Sequence, residues 1–204
     1  MPDVVVATTQ GRVRGRADDG VATARSSELA LGGAAVEGTR AAIRGFLGAD
    51  AERVVAAYTD ARADRSVDRA WIDILGDVSF RIPMIRLAEA QAGRDLPVWM
   101  YRFDYASKAF GGRLGAAHAI ELPFVWDRLD LPFTQILLGD VADARPLATA
   151  MHDTWAAFVR DGEPAGAGLP SWPTYQVPRR ATMLLDVAPR VADDPGGALR
   201  ALWP

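Results

Sequence analysis

Residues 98–103, Val-Trp-Met-Tyr-Arg-Phe, limit the possible folds more than any other stretch of the chain. Successive side chains of a strand point to opposite faces, so Val98, Met100 and Arg102 share one face and Trp99, Tyr101 and Phe103 the other. Both sets are mostly apolar, whereas a strand with one wet face alternates apolar and polar residues. A strand apolar on both faces needs both covered, as in a parallel sheet flanked by helices. The expected class is therefore α/β, with few other strand segments and hence a small sheet.

The segments around this strand read mainly as helices. Residues 39–47 place Ala42, Ile43, Phe46 and Leu47 on one face, and Gly48 can end the helix. Asp50 is a candidate N-cap for a helix carrying Val54, Val55, Tyr58 and Ala61. Ser66 opens another, through Trp71, Ile74 and Leu75. A fourth runs to Ala92 with Met84, Leu87 and Ala88 inward; Pro83 kinks it or marks its first turn, and Gly93 stops it. Residues 142–160 form a long helix with Pro146 in its first turn and Met151, Trp155, Phe158 and Val159 buried; Gly162 follows as its cap. Residues 4–8 are a β-branched run, Gln10-Gly11 makes a turn, and residues 12–16 alternate Arg and Val, which predicts a hairpin. Residues 180–186 read as the last strand, and residues 197–203 as a helical turn. Residues 21–38 show no clear period and read as a linker or a poorly packed segment.

Composition excludes several function classes. The chain is 50% apolar and 24% charged, too apolar for a disordered tail. Its uncharged apolar stretches, such as residues 29–36, fall far short of the roughly 20 residues of a spanning helix. The net charge of −3 gives no basic field to collect nucleic acid or anionic lipid, so neither nucleic acid nor membrane is expected as a partner. The absence of cysteine removes disulfides, thiol nucleophiles and Cys-ligated metals. Two histidines, His118 and His152, are too few for a His-rich metal site, and no metal or cofactor is expected. Met-Pro-Asp-Val-Val-Val carries no secretion signal, which makes a soluble cytoplasmic protein the expectation.

His118 invites a catalytic reading. It follows the 98–103 strand through a Gly-rich loop, residues 108–115, and so can lie at the carboxyl end of a sheet, where α/β sites form. Glu121, three residues on, either orients it or caps the turn that follows. His152, beside Met151 and Trp155, reads as a helix-face residue.

The segment Gly115-Ala-Ala-His118-Ala-Ile-Glu121-Leu-Pro-Phe-Val125 resembles the histidine motif of type B carboxylesterases. Further segments are similar to that family in order and spacing: Gly11-Arg-Val-Arg-Gly15, Asp77-Val-Ser-Phe-Arg-Ile-Pro83, Val98–Phe103, Asp161-Gly-Glu-Pro164 and Trp172-Pro-Thr-Tyr175. The resemblance implies an α/β-hydrolase fold. It also implies hydrolysis of a small carboxylic ester by Ser, acid and His in that chain order, with backbone N–H groups holding the oxyanion. The family's histidine falls on His118.

The rest of the machinery does not carry over. None of Ser26, Ser27, Ser66, Ser79, Ser107 and Ser171 lies in Gly-x-Ser-x-Gly. Glu28 and Glu37 lie in no acid motif, and Gly32-Gly33 only faintly matches the oxyanion-loop glycines. The expectation is a single, incomplete α/β-hydrolase domain: an N-terminal hairpin (1–21), a junction (22–38) and a C-terminal carboxylesterase portion (39–204). Such a chain should be inactive or nearly so alone; the alternative is a non-catalytic interaction module or degraded gene product. The 98–103 strand should lack a neighbour and offer its edge for self-association. Trp99, Tyr101, Phe124, Trp126, Trp155 and Phe158 should lose packing partners.

Overall fold

The computed structural model describes residues 4–9, 33–112 and 114–203. Its sheet has four strands in the order β1-β2-β3-β4. They are β1 (Val4–Thr9), β2 (Val98–Phe103), β3 (Ala181–Leu185) and β4 (Arg190–Asp193). β1 and β3 both run parallel to β2, and β4 returns antiparallel along β3. Met100 stands opposite Val6 on one side and Thr182 on the other. All six residues of β2 are buried.

Joining two parallel strands requires a crossover, and helices supply it. These are α1 (Gly33–Leu47), α2 (Ala51–Asp60), α3 (Val67–Gly76) and α4 (Ile82–Ala92). Ser66 caps α3, its Oγ accepting the Arg69 backbone N–H at 3.3 Å. Between α3 and α4 the helical path continues through a π-turn, Asp77–Arg81. The wider turn leaves room for the Pro83 ring, which would otherwise crowd the carbonyl four residues back. Within it Arg81 grips Asp77 through two bonds, of 2.7 and 2.5 Å, and both residues are buried. Tyr58 of α2 also donates to Asp77, and Trp203 Nε1 donates to the Tyr58 hydroxyl at 2.8 Å. One buried carboxylate thus joins α2, the π-turn and the C-terminal residues.

The remaining helices are α5 (Leu122–Val125), α6 (Pro132–Leu138), α7 (Arg145–Asp161) and α8 (Gly197–Arg200). The Trp99, Tyr101 and Phe103 face of β2 meets α5 and α7. Trp155 stands edge-on to Tyr101 at 5.0 Å, Phe158 edge-on to Trp99 at 6.0 Å, and Phe124 edge-on to Phe103 at 4.9 Å. Val98 and Met100 on the other face cluster with Ala88 of α4 and Tyr175. The strand is therefore covered on both faces, as its apolar alternation demands. Among the described residues, no helix is long and apolar enough to cross a membrane.

Several expectations need correction. β2 offers no open edge: β1 pairs along one side and β3 along the other. Of the six aromatics expected to lose partners, Trp99, Tyr101 and Phe124 are buried, Trp155 and Phe158 are partly buried against the core, and only Trp126 stays largely exposed, at 67%. Residues 10–16, the expected hairpin return, lie outside the described residues. α1 begins at Gly33 rather than Thr39, so Gly33 is helical. The final strand is followed by an unexpected partner, β4. Phe46, Leu87 and Val159, expected inside, are exposed. α1 buries Ile43, α4 buries Ala88 as expected, and α7 buries the small Ala148 and Ala157 beside Leu147 and Met151. Apolar periodicity ranks Val above Ala, but close approach favours the smaller side chain.

Two outcomes follow from this packing. Phe124→Ala is expected to cost about 3–5 kcal/mol in guanidinium unfolding, while Val159→Asp stays within about 0.5 kcal/mol of the parent. Deleting residues 1–9 uncovers the β2 edge and is expected to raise self-association, read by light scattering against the full chain.

Candidate functional site

The loop after β2 is built by backbone closure. Ser107 and Gly115 form an isolated antiparallel bridge, with the Ser107 N–H donating to the Gly115 carbonyl at 3.0 Å. Ser107 Oγ donates to the Leu137 carbonyl at 2.6 Å and accepts the Ala109 N–H at 3.1 Å, which ties the loop to α6. At the end of α6, Gly139 has φ +73°, and a Cβ there would lie 2.9 Å from Ala109 N. Only glycine permits that approach.

Beyond the bridge the chain turns sharply through His118. Ala119 adopts φ +65°, a left-handed conformation unusual for a residue with a Cβ. The Leu122 N–H then bonds the Ala119 carbonyl at 3.3 Å, and α5 follows. Phe124 anchors this turn, buried between Phe103 and Tyr105 at the carboxyl end of β2. His152 Nδ1 lies 3.0 Å from the Val125 carbonyl and links α7 to the end of α5. His152 is thus a surface tether on a helix face.

His118 itself is exposed, its ring stacked on Phe80 of the π-turn at 5.2 Å and 15°. Among the described residues it has no hydrogen-bond partner. Glu121 is half-buried, and its Oε2 is buried without a hydrogen-bond partner among the described residues. Burial pushes the Glu121 carboxyl above the usual range, against the pull of its own backbone N–H and of His118.

The serines and acids lie elsewhere. Ser66 caps α3, Ser107 is buried in the loop closure, and Ser79 and Ser171 are exposed. None of these four hydrogen-bonds His118; Ser26 and Ser27 lie outside the described residues. Glu37 is exposed and paired with Arg40 at 2.9 Å, and Glu28 is outside the described residues. Among the described residues no group of three or more His, Asp or Glu could hold a metal ion.

A cleft of about 640 Å³, missed by the sequence reading, opens at the carboxyl ends of β2 and β3. Its floor includes Tyr105 and Asp186, and its walls include Arg62, Asp73 and Lys108. The position is usual for an α/β binding site. However, neither His118 nor Glu121 lines it, and its charges answer one another: Lys108 meets Asp143 at 2.6 Å, and Arg62 bonds both Asp64 and Asp73. No sequence motif signalled it, because its walls come from segments far apart in the chain.

The fold is that of an α/β-hydrolase with an incomplete sheet. The carboxylesterase family model matches residues 45–198, and the chain belongs to that family. It is similar to the phenmedipham hydrolase of Pseudarthrobacter oxydans, at 39% identity over 60% of this chain and 25% of that protein. It is 33% identical to the para-nitrobenzyl esterase of Bacillus subtilis, over 61% of this chain and 25% of that protein. The solved carboxylesterase EST55 of Geobacillus stearothermophilus superposes with a TM-score of 0.74 and 31% identity, over 99% of this chain and 40% of that one. The chain thus spans about a quarter of the length of the curated relatives it matches.

The Glu121 carboxyl carries a pH signature. Its folded pKa is raised, so its contribution to stability is fully present below the unfolded value of about 4.3 and is lost as pH rises through the folded value. Relative to Glu121→Gln, the parent is expected to lose stability as pH rises from 4 to 7, measured by denaturant unfolding at each pH.

Proposed function

We propose that this chain carries the histidine-bearing part of a carboxylic ester hydrolase and, by itself, hydrolyses esters no faster than a free imidazole would. The observation behind this reading is the setting of His118. It follows β2 on a shaped turn, exposed and stacked on Phe80, with no hydrogen-bond partner among the described residues. A general base acts on a nucleophile held within about 2.6–3.2 Å, and an acid must hold the ring in the right tautomer. None of Ser66, Ser79, Ser107 and Ser171 is bonded to the ring, and Glu121 answers the acid's requirement only by proximity.

The family match and the esterase relatives support the substrate class, a small carboxylic ester. The architecture supports reading the chain as one incomplete domain, in which an N-terminal strand segment joins a C-terminal carboxylesterase portion through residues 22–38. Losing one triad member already costs several orders of magnitude in rate, and here the oxyanion donors are missing from the motif pattern as well.

Labelling with a fluorophosphonate, which reports an activated serine, is expected to give no adduct. Turnover of an activated ester at saturation is expected to match that of His118→Ala within about twofold, the scale of a solvent-exposed base. A stable adduct, or a loss of a hundredfold or more in the variant, overturns the reading.

A further inference from the structure

The sheet face that carries Val98 and Met100 also holds a small cavity. Its volume is about 20 Å³, and Arg81, Arg102, Tyr175, Arg180, Thr182 and Asp194 are among the residues that line it. Arg102 follows Met100 on the same face of β2, and Thr182 stands opposite Met100 on β3. Most of the polar groups in the lining are already engaged. Arg81 is held by Asp77, Arg180 Nε donates to Glu89 at 2.8 Å, and Asp194 accepts two bonds from Arg200, at 2.9 and 2.8 Å. Thr182 Oγ1 donates to the Arg180 carbonyl at 3.0 Å. Arg102 gives Nε and Nη2 to Asp104, at 2.6 Å each, which leaves its Nη1. That nitrogen and the Tyr175 hydroxyl are both buried, and neither has a hydrogen-bond partner among the described residues. The residues themselves are almost wholly enclosed, Arg102 at 3% exposure and Tyr175 at 2%. An unmet buried donor is costly, and more so when it is charged.

We propose that this cavity is a site for one hydrogen-bond acceptor of atomic size, a water oxygen or a chloride ion, held by Arg102 Nη1 and the Tyr175 hydroxyl. Size sets the upper bound. One water needs about 10–15 Å³ of such space, so about 20 Å³ admits a single particle and no polyatomic oxyanion. Charge excludes a cation, because three guanidinium groups line the cavity and a guanidinium only donates. Burial pushes the Tyr175 hydroxyl up to about 12, so it keeps its proton at neutral pH and donates as well. The two orphaned groups thus ask for the same thing, an acceptor that each can reach from the cavity wall. A water returns its own hydrogens to Thr182 Oγ1 or to the Asp194 carboxylate, and a chloride rests in the field of Arg81 and Arg180. Either particle ties β2 to the segment that leads into β3. The site does not depend on the reading of the chain as part of an ester hydrolase.

The test is crystallographic, on the 204-residue chain grown once from sodium bromide and once without halide, with anomalous data collected at the bromine edge. A single peak is expected within hydrogen-bond reach of both Arg102 Nη1 and the Tyr175 hydroxyl. An anomalous signal there in the bromide crystal identifies a halide site. The same density in both crystals without that signal identifies a water. Either result supports the site and names its occupant. Tyr175→Phe removes the hydroxyl but keeps the ring against Val98 and Met100, and it is expected to lower the occupancy of the peak at least twofold. Arg102→Lys keeps the charge but withdraws the Nη1 donor, and the same loss is expected. The proposal is overturned if no density lies between the two atoms, or if either atom is bonded to a protein acceptor instead. A peak whose occupancy both variants leave unchanged overturns it equally.

Discussion

Strand β2 has requirements that no single neighbour can meet. Its apolar residues on both faces need two helical layers, and its backbone needs a hydrogen-bonded partner on each edge. In a sheet reduced to four strands these are met by elements from far apart in the chain. β1 and β3 take the two edges, α4 lies with Tyr175 against Val98 and Met100, and α5 and α7 cover Trp99, Tyr101 and Phe103. A domain's net stability is only about 5–15 kcal/mol, and each exposed core aromatic forfeits roughly 1.5–3. Burial of Trp99, Tyr101 and Phe124 is therefore a condition for the rest of the structure, the His118 turn included.

The position of His118 is a consequence of that core. Phe124 is inserted at the end of β2, so α5 has one seat, and the turn ahead of it must reverse within a few residues. The left-handed Ala119 accomplishes the reversal. The imidazole then projects over the π-turn, whose shape depends on Pro83 and on the buried Asp77–Arg81 pair. Breaking such a buried pair leaves an unpaired charge inside. His118 is thus tied to a carboxylate it never touches.

The structure separates this histidine from the polar cleft at the same end of the sheet. The cleft is floored by Tyr105 and Asp186 and walled by self-paired Arg62 and Lys108. Its site-like location comes with mutually compensating charges, whereas His118 is exposed, stacked on Phe80 and without a hydrogen-bond partner among the described residues.

Local patterns were enough to recognise β2, the longer helices and the caps at Ser66 and Gly162, because each depends on residues a few positions apart. The missing nucleophile elbow was equally legible, since Gly-x-Ser-x-Gly is a contiguous signature. Pairing partners were not. Nothing in residues 4–9 states that they run parallel to residues 98–103, and hydrogen bonds between backbones carry no side-chain signature. Nor could apolar periodicity foretell that Leu87 and Val159 face outward while Ala157 is buried, because close approach between elements is decided by the shape of both. The sequence alone therefore determined the family. Tertiary structure alone decided which edge β1 covers, which aromatics stay bare, and what lies within reach of His118. Those outcomes depend on contacts between distant segments, whose free energies exist only once the segments have met.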